Sequence, residues 1–182
     1  LGTRLLVDLK VITPMQDFID REGFDVSDIE PNVANYYSID GRLQSMPFNT
    51  SNPVLYYNKD MFKAAGLDPE KAPRTWDEVA EYARKLTIKD ASGTVTQWGC
   101  TFALYGWFVE QFIAVQGGYY VNNENGRTAR ATEAAFNGPE GVALLTWWKS
   151  MIDEGICANL GRSTTDTKKA FDSGTVAMTL DS

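Results

Sequence analysis

Apolar and polar positions along this chain fall into short blocks whose period switches between helix-like and strand-like spacing. From Leu5 to Ile19 apolar residues recur at loose helical spacing, but Thr13-Pro14 interrupts them, which predicts a loop and then a short helix. Asp28-Ile-Glu-Pro-Asn32 opens a further helix or turn, with Val33, Tyr36 and Tyr37 on one side. Asp40-Gly41 is a turn signal between Tyr36–Ile39 and Arg42–Pro47, and the three together predict a hairpin. Asn49-Thr-Ser-Asn-Pro53 is a polar loop leading into the apolar, aromatic strand Val54–Tyr57.

Helix punctuation dominates the next stretch. Asn58 is placed to cap a helix over Lys59–Ala65 that Gly66 closes. Thr75-Trp-Asp-Glu78 has capping-box spacing, and Val79, Tyr82, Ala83 and Leu86 follow on one helical face. Trp98–Phe102 reads as a strand, Trp107–Val115 as a helix ending at Gly117-Gly118, and Asn122–Gly126 as a solvated turn. Pro139 starts a long amphipathic helix, Glu140–Glu154, with Gly155 as its stop. A last helix, Ser163–Asp172, precedes the strand Thr175–Leu180. Strands alternating with helices predict an α/β architecture. With no starting Met, and a buried strand just before Ser182, the chain is expected to be a piece of a longer protein.

Composition narrows the chemistry. The 182 residues carry 17 Lys+Arg against 24 Asp+Glu, a net charge of −7 with a pI near 4.6. That balance argues against nucleic-acid partners, because phosphates need a basic footprint. The chain has no histidine, which excludes Ser-His-Asp and Cys-His catalysis and His-based zinc sites within it. Two cysteines, Cys100 and Cys157, are too few for a four-ligand metal site or a disulfide scaffold. A single bridge between them stays open, since spacing does not fix its geometry. No apolar run approaches the roughly 18 residues of a membrane span, and there is no phosphate-binding glycine loop. Neither a metal nor a cofactor is expected.

Three sets of residues remain as candidates. The pairs Asp77-Glu78 and Asp153-Glu154 lie on helices whose polar faces account for them, whereas Glu110 sits beside aromatic residues and is either solvated or turned to a cleft. Tyr105 and Trp107 flank Gly106 at a strand-to-helix junction, where open α/β sheets bind ligands. An indole face there either packs in the core or stacks on a sugar ring or glycerol chain. Asn49, Thr50, Ser51 and Asn52 offer amide and hydroxyl groups to a polar ligand. Trp147-Trp148, on the long helix, reads as core.

The segment Met46-Pro-Phe-Asn-Thr-Ser-Asn-Pro-Val-Leu-Tyr-Tyr-Asn-Lys-Asp60 is followed by Ala65-Gly-Leu-Asp-Pro69 and Arg74-Thr-Trp-Asp-Glu78. Together with Gly138-Pro-Glu140 and Phe171-Asp-Ser-Gly-Thr-Val-Ala-Met178, it resembles the family-1 extracellular solute-binding proteins of ABC importers over nearly the whole chain. Pro47–Pro53 is most similar to the branch that binds glycerol-3-phosphate and glycerophosphodiesters. The resemblance implies a partial periplasmic-binding-protein-like fold of type II: residues 1–45 in lobe 1, 46–53 as a hinge or crossing segment, and 54–182 as most of lobe 2. The opening strands of lobe 1 and the C-terminal third would be missing. It further implies a small polar solute held between the lobes, a membrane permease as partner, and a periplasmic or extracellular location, lipid-anchored or free. Ligand contacts of the branch fall on Ser51, Trp107 and Ser182, whereas a further tryptophan position is occupied by Leu104. The branch's C-terminal arginine has no counterpart in this segment. Asn49 and Tyr105 join the candidates from their own chemistry. Two other readings are a carbohydrate-active enzyme working through two carboxylates, Glu110 among them, and a sensor or adhesion module on the same fold.

Overall fold

The computed structural model describes residues 3–182, and the chain divides into two compact units, Leu1–Ser51 and Asn52–Ser182. In the first unit, α1 (Thr3–Asp8) precedes α2 (Met15–Glu22). The reading of a loop before Thr13-Pro14 is therefore corrected. One and a half helical turns form there, supported by an Arg4–Asp8 ion pair of 3.0 Å one turn apart. Next, α3 (Pro31–Tyr36) is capped by Glu30, whose carboxylate accepts the amides of Asn32 and Val33 at 2.7 and 3.2 Å. Strands β1 (Ser38–Ile39) and β2 (Arg42–Leu43) form the expected hairpin, shorter than read because α3 retains Tyr36. Asp40 and Gly41, at φ of 52° and 73°, make the two-residue turn whose twist suits a hairpin.

The second unit begins with β3 (Val54–Tyr57) and α4 (Lys59–Ala64). Asn58 caps α4 as expected, accepting the amides of Asp60 and Met61 at 3.0 and 3.1 Å. In α5 (Trp76–Leu86) the Thr75 hydroxyl accepts from the Glu78 amide at 3.1 Å. The Glu78 carboxylate takes the Arg74 amide at 2.6 Å, so the reciprocal half of the capping box lands one residue early. Strands β4 (Ile88–Lys89) and β5 (Val95–Gln97) form a hairpin missing from the sequence reading. Then follow β6 (Cys100–Thr101), α6 (Gly106–Ala114), and α7 (Asn122–Gly126), the last a single turn with left-handed Asn123, Glu124 and Asn125. The chain continues through α8 (Pro139–Asp153), β7 (Cys157–Ala158), α9 (Thr164–Asp172) and β8 (Met178–Asp181).

The main sheet has the order β3-β8-β6-β7, with β3 antiparallel to β8 and with β8, β6 and β7 mutually parallel. Burial explains its composition. Cys100, Thr101, Val176, Ala177 and Met178 are fully buried, so small or unbranched side chains fill the strands while helices cover them. Thr101 satisfies its hydroxyl by donating to Ala158 O at 2.8 Å. At Gly99 the chain runs so close to α5 that a Cβ would stand 2.1 Å from Ala83 O, so only glycine fits. The helical core contains Phe62, Leu86, Phe108, Ile113, Leu144 and Met151. Beside it, Trp147 stacks on Trp76 at 5.0 Å and donates its Nε1–H to Trp76 O at 3.1 Å, with Phe102 stacked on Trp147 and Phe112 edge-on to Trp76. The core reading of Trp147-Trp148 agrees with this packing: Trp148 is buried.

Candidate functional site

The three parallel strands end on one side of the sheet. From β6 the chain moves through α6 and α8 to β7. From β7 it returns through α9, past β6, to β8. Right-handed crossovers running in opposite directions place α6 and α8 on one face and α9 on the other, so the neighbouring strands β6 and β7 send the chain to opposite faces at their carboxyl ends. Thr101 pairs with Thr179, so Leu104 on one strand exit and Ser182 on the other both lie three residues beyond the pairing. The exits of β6 and β7 are tied together by Leu104 N–H donating to Gly161 O at 2.8 Å.

Of the candidate residues, Tyr105, Trp107 and Ser182 come to this side of the second unit. Tyr105 is the extended residue that opens α6, with no side-chain cap there, and the residue is 41% exposed. Trp107 is half-buried, packing against the core while its ring centroid lies 6.4 Å from Tyr105 and 5.3 Å from Phe108. Its packed side anchors α6 against the core, and the rest of the side chain is accessible. Leu104, in the place of the second expected indole, is 41% exposed and brings an apolar surface without a stacking face. Ser182 is exposed, and its amide donates to Asp181 Oδ1 at 2.8 Å.

Asn49 and Ser51 belong to the first unit. They lie in an irregular stretch after β2, both exposed, next to Phe48 with 98% of its surface exposed. Successive polar side chains with Pro47 and Pro53 on either side keep this stretch from pairing as a strand.

Sequence reasoning missed two polar features at the strand ends. Asn159 follows β7 directly, and its carboxamide oxygen accepts the Gly161 amide at 3.1 Å. It also lines a hollow of about 490 Å³ with Leu104, Tyr105 and Val109 on one side and Leu145, Trp148 and Ile152 on the other. Asp181 ends β8 with its carboxylate 3.4 Å from Lys168 Nζ on α9. No local pattern marks either residue: β7 is two residues long, and the place of Asp181 is set by the pairing of β8 with its neighbours.

Glu110, one turn into α6, is half-buried, and that burial raises its carboxyl above the ordinary glutamate value. Among the described residues no three His, Cys, Asp or Glu side chains gather as a metal site, and no helix is long and apolar enough to cross a membrane. The arrangement offers aromatic faces, a helix opening and hydroxyl or amide groups, which is a set suited to holding a polar solute.

Residues 3–182 match the family model described as bacterial extracellular solute-binding protein. The sn-glycerol-3-phosphate-binding periplasmic protein UgpB of Escherichia coli K12 is 40% identical over 183 residues, covering 98% of this chain and 40% of that protein. The chain therefore spans about two fifths of the length of the curated relatives it matches. An ABC transporter solute-binding protein of Thermotoga lettingae, solved with α-D-tagatose, superimposes at a TM-score of 0.77 and 24% identity over 97% of this chain and 44% of its own. UgpB of Mycobacterium tuberculosis, solved with glycerophosphocholine, gives 0.72 and 22% over 93% and 40%. These two likenesses establish the fold as that of periplasmic solute-binding proteins, of which this chain is a part.

Proposed function

Because the chain belongs to the bacterial extracellular solute-binding protein family, we propose that it is part of the substrate-binding component of an ABC importer. In this reading it captures a small polar solute between two lobes and delivers it to a membrane permease. The observation that carries the proposal is the Tyr105–Trp107 pair at the opening of α6, where the chain leaves the carboxyl end of β6. Residues 1–45 then contribute to lobe 1, 46–53 form the crossing segment, and 54–182 make most of lobe 2. Asn49 and Ser51 supply hydrogen bonds from the crossing segment, Trp107 and Tyr105 a stacking wall, and Ser182 a hydroxyl and amide from β8. The protein works in the periplasm or at the cell exterior and binds without turnover.

Glycerol-3-phosphate or a glycerophosphodiester is the favoured solute class, supported by the 40% identity to the Escherichia coli UgpB. The acidic net charge does not oppose an anionic solute, since hydroxyls and helix-opening amides act locally. A sugar is the second reading, favoured by Leu104: exchanging an indole for an aliphatic chain reshapes one wall of the pocket.

A melting-point panel on the full-length parent tests both. A ligand at a hundred times its Kd adds about 2.7 kcal/mol, or several degrees. Glycerol-3-phosphate or glycerophosphocholine is expected to raise Tm while mono- and disaccharides do not; the opposite pattern selects the sugar reading. Trp107→Ala is expected to weaken the solute by about tenfold or more, equivalent to about 1.4 kcal/mol of lost stacking and burial. Unchanged affinity removes Trp107 from the site, and product formation from a phosphodiester or glycoside overturns the non-enzymatic reading.

A further inference from the structure

Cys100 and Cys157 stand directly opposite one another in the parallel pairing of β6 and β7. Both are buried, with 0% and 1% of their surface exposed, and both are free thiols in the structure. Partners in register on neighbouring strands project to the same face of the sheet. Strands spaced about 4.8 Å apart bring their Cα atoms within the roughly 4.4–6.8 Å window that a disulfide spans. The Cys157 thiol is also within hydrogen-bonding reach of Cys100, and together with burial it raises the Cys100 thiol well above its ordinary value. The backbone acceptors of the two thiols are distant: Ile156 O at 3.8 Å for Cys100 and Ala158 O at 4.0 Å for Cys157. Closing a bond between them therefore gives up little.

We propose that Cys100 and Cys157 close a disulfide as the chain folds in an oxidising medium, fastening the two-residue edge strand β7 to β6 beneath the strand exits that carry Tyr105 and Asn159. That the protein meets such a medium rests on the exported location proposed above; the bond itself rests on the register. The oxidant is a dithiol oxidase in its disulfide form, or glutathione disulfide in vitro. One cysteine thiolate attacks the oxidant's disulfide to give a mixed disulfide. The second thiolate attacks the protein sulfur and releases the oxidant's thiol, so the pair loses two protons and two electrons and the oxidant is reduced by the same amount. Neither sulfur is reachable once the sheet is covered, so the bond forms before β7 docks and is then shielded from reductants.

The test uses the 182-residue chain, unfolded with reductant and refolded by dilution with glutathione disulfide, then denatured and alkylated without reductant. Intact mass is expected to show no added alkyl group, and two after reduction. Native oxidised protein is expected to resist dithiothreitol that reduces it at once in denaturant, and to melt several degrees above the reduced form. Two alkyl groups on the refolded protein, or an oxidised form melting below the reduced one, overturns the proposal. The double variant Cys100→Ala/Cys157→Ala is expected to melt at the same temperature with and without glutathione disulfide. Because refolding in vitro needs no export, location is read separately, by fractionating cells that make the parent. A cytoplasmic parent defeats the exported location and leaves a bridge formed in vitro standing.

Discussion

The two units of this chain treat their apolar residues in opposite ways. Among the described residues of Leu1–Ser51 only Ile19 and Leu43 of the apolar side chains are buried, while Leu5, Leu9, Val11, Phe24 and Phe48 are each at least 60% exposed. In Asn52–Ser182 a continuous core runs from Phe62 on α4 to Leu180 on β8. The difference teaches that element formation and core formation are separate matters. Caps, turns and ion pairs are enough to shape α2, α3 and the β1–β2 hairpin, but a stretch of this size buries too little apolar surface to offset its chain entropy.

Separating the units gives the largest expected effect. Residues 52–182 made alone are expected to melt cooperatively, and residues 1–51 alone to show a circular dichroism spectrum dominated by unfolded chain. A cooperative melt of the shorter piece breaks the comparison. Next come two glycines. Gly99→Ala forces a Cβ to 2.1 Å from Ala83 O, both groups being backbone, and is expected to cost about 3 kcal/mol or more in denaturant unfolding. Gly41→Ala meets no atom within 4 Å and carries only the penalty of φ 73°, about 1 kcal/mol. Equal losses would mean that the second unit is not the tightly packed one.

The smallest effects are expected from single carboxylates, and their signs differ between the units. Burial raises the folded-state value of Glu110, so the folded protein binds that proton more tightly than the unfolded chain does. Stability is then lost as pH rises from the unfolded value through the folded one, and none is lost below the unfolded value. Glu110→Gln is expected to raise Tm at neutral pH, with the gain vanishing in acid. In the first unit, hydrogen bonds from Ser27 lower Asp25. Its contribution is present above the unfolded value and lost as pH falls through the folded one, so Asp25→Asn is expected to lower Tm slightly at neutral pH and not in acid. Melting curves from neutral to acid pH check both.

Much of the fold was legible because its punctuation is local. Asn58, Thr75, Pro139 and the Asp40-Gly41 turn each act within four residues, and each does in the structure what its chemistry implies. What escaped was short or non-local. The β4–β5 hairpin turns on Asp90, whose carboxylate accepts the amides of Ser92 and Thr94 at 2.9 and 3.0 Å, but its strands are too short to show a period. Strand β7 has two residues, and only its pairing with β6 identifies it. In the candidate site, the junction Tyr105-Gly-Trp107 announced itself by composition and position. Asn159 and Asp181 did not, because their place depends on which strands lie side by side, a property of the finished sheet.

That finished sheet has an order in time as well as in space. Strand β8 lies between β3 and β6, yet among the strands described it is the last to be synthesised, and Val54 finds its partner only at Asp181. Until residues 178–181 emerge, β3 and β6 have no common neighbour. The long loop between them must be closed at one stroke, which makes for slow, late assembly. Between the making of β3 and the making of β8 a nascent chain of this kind remains an open thread, the condition in which a polypeptide can be passed through a narrow channel before it folds.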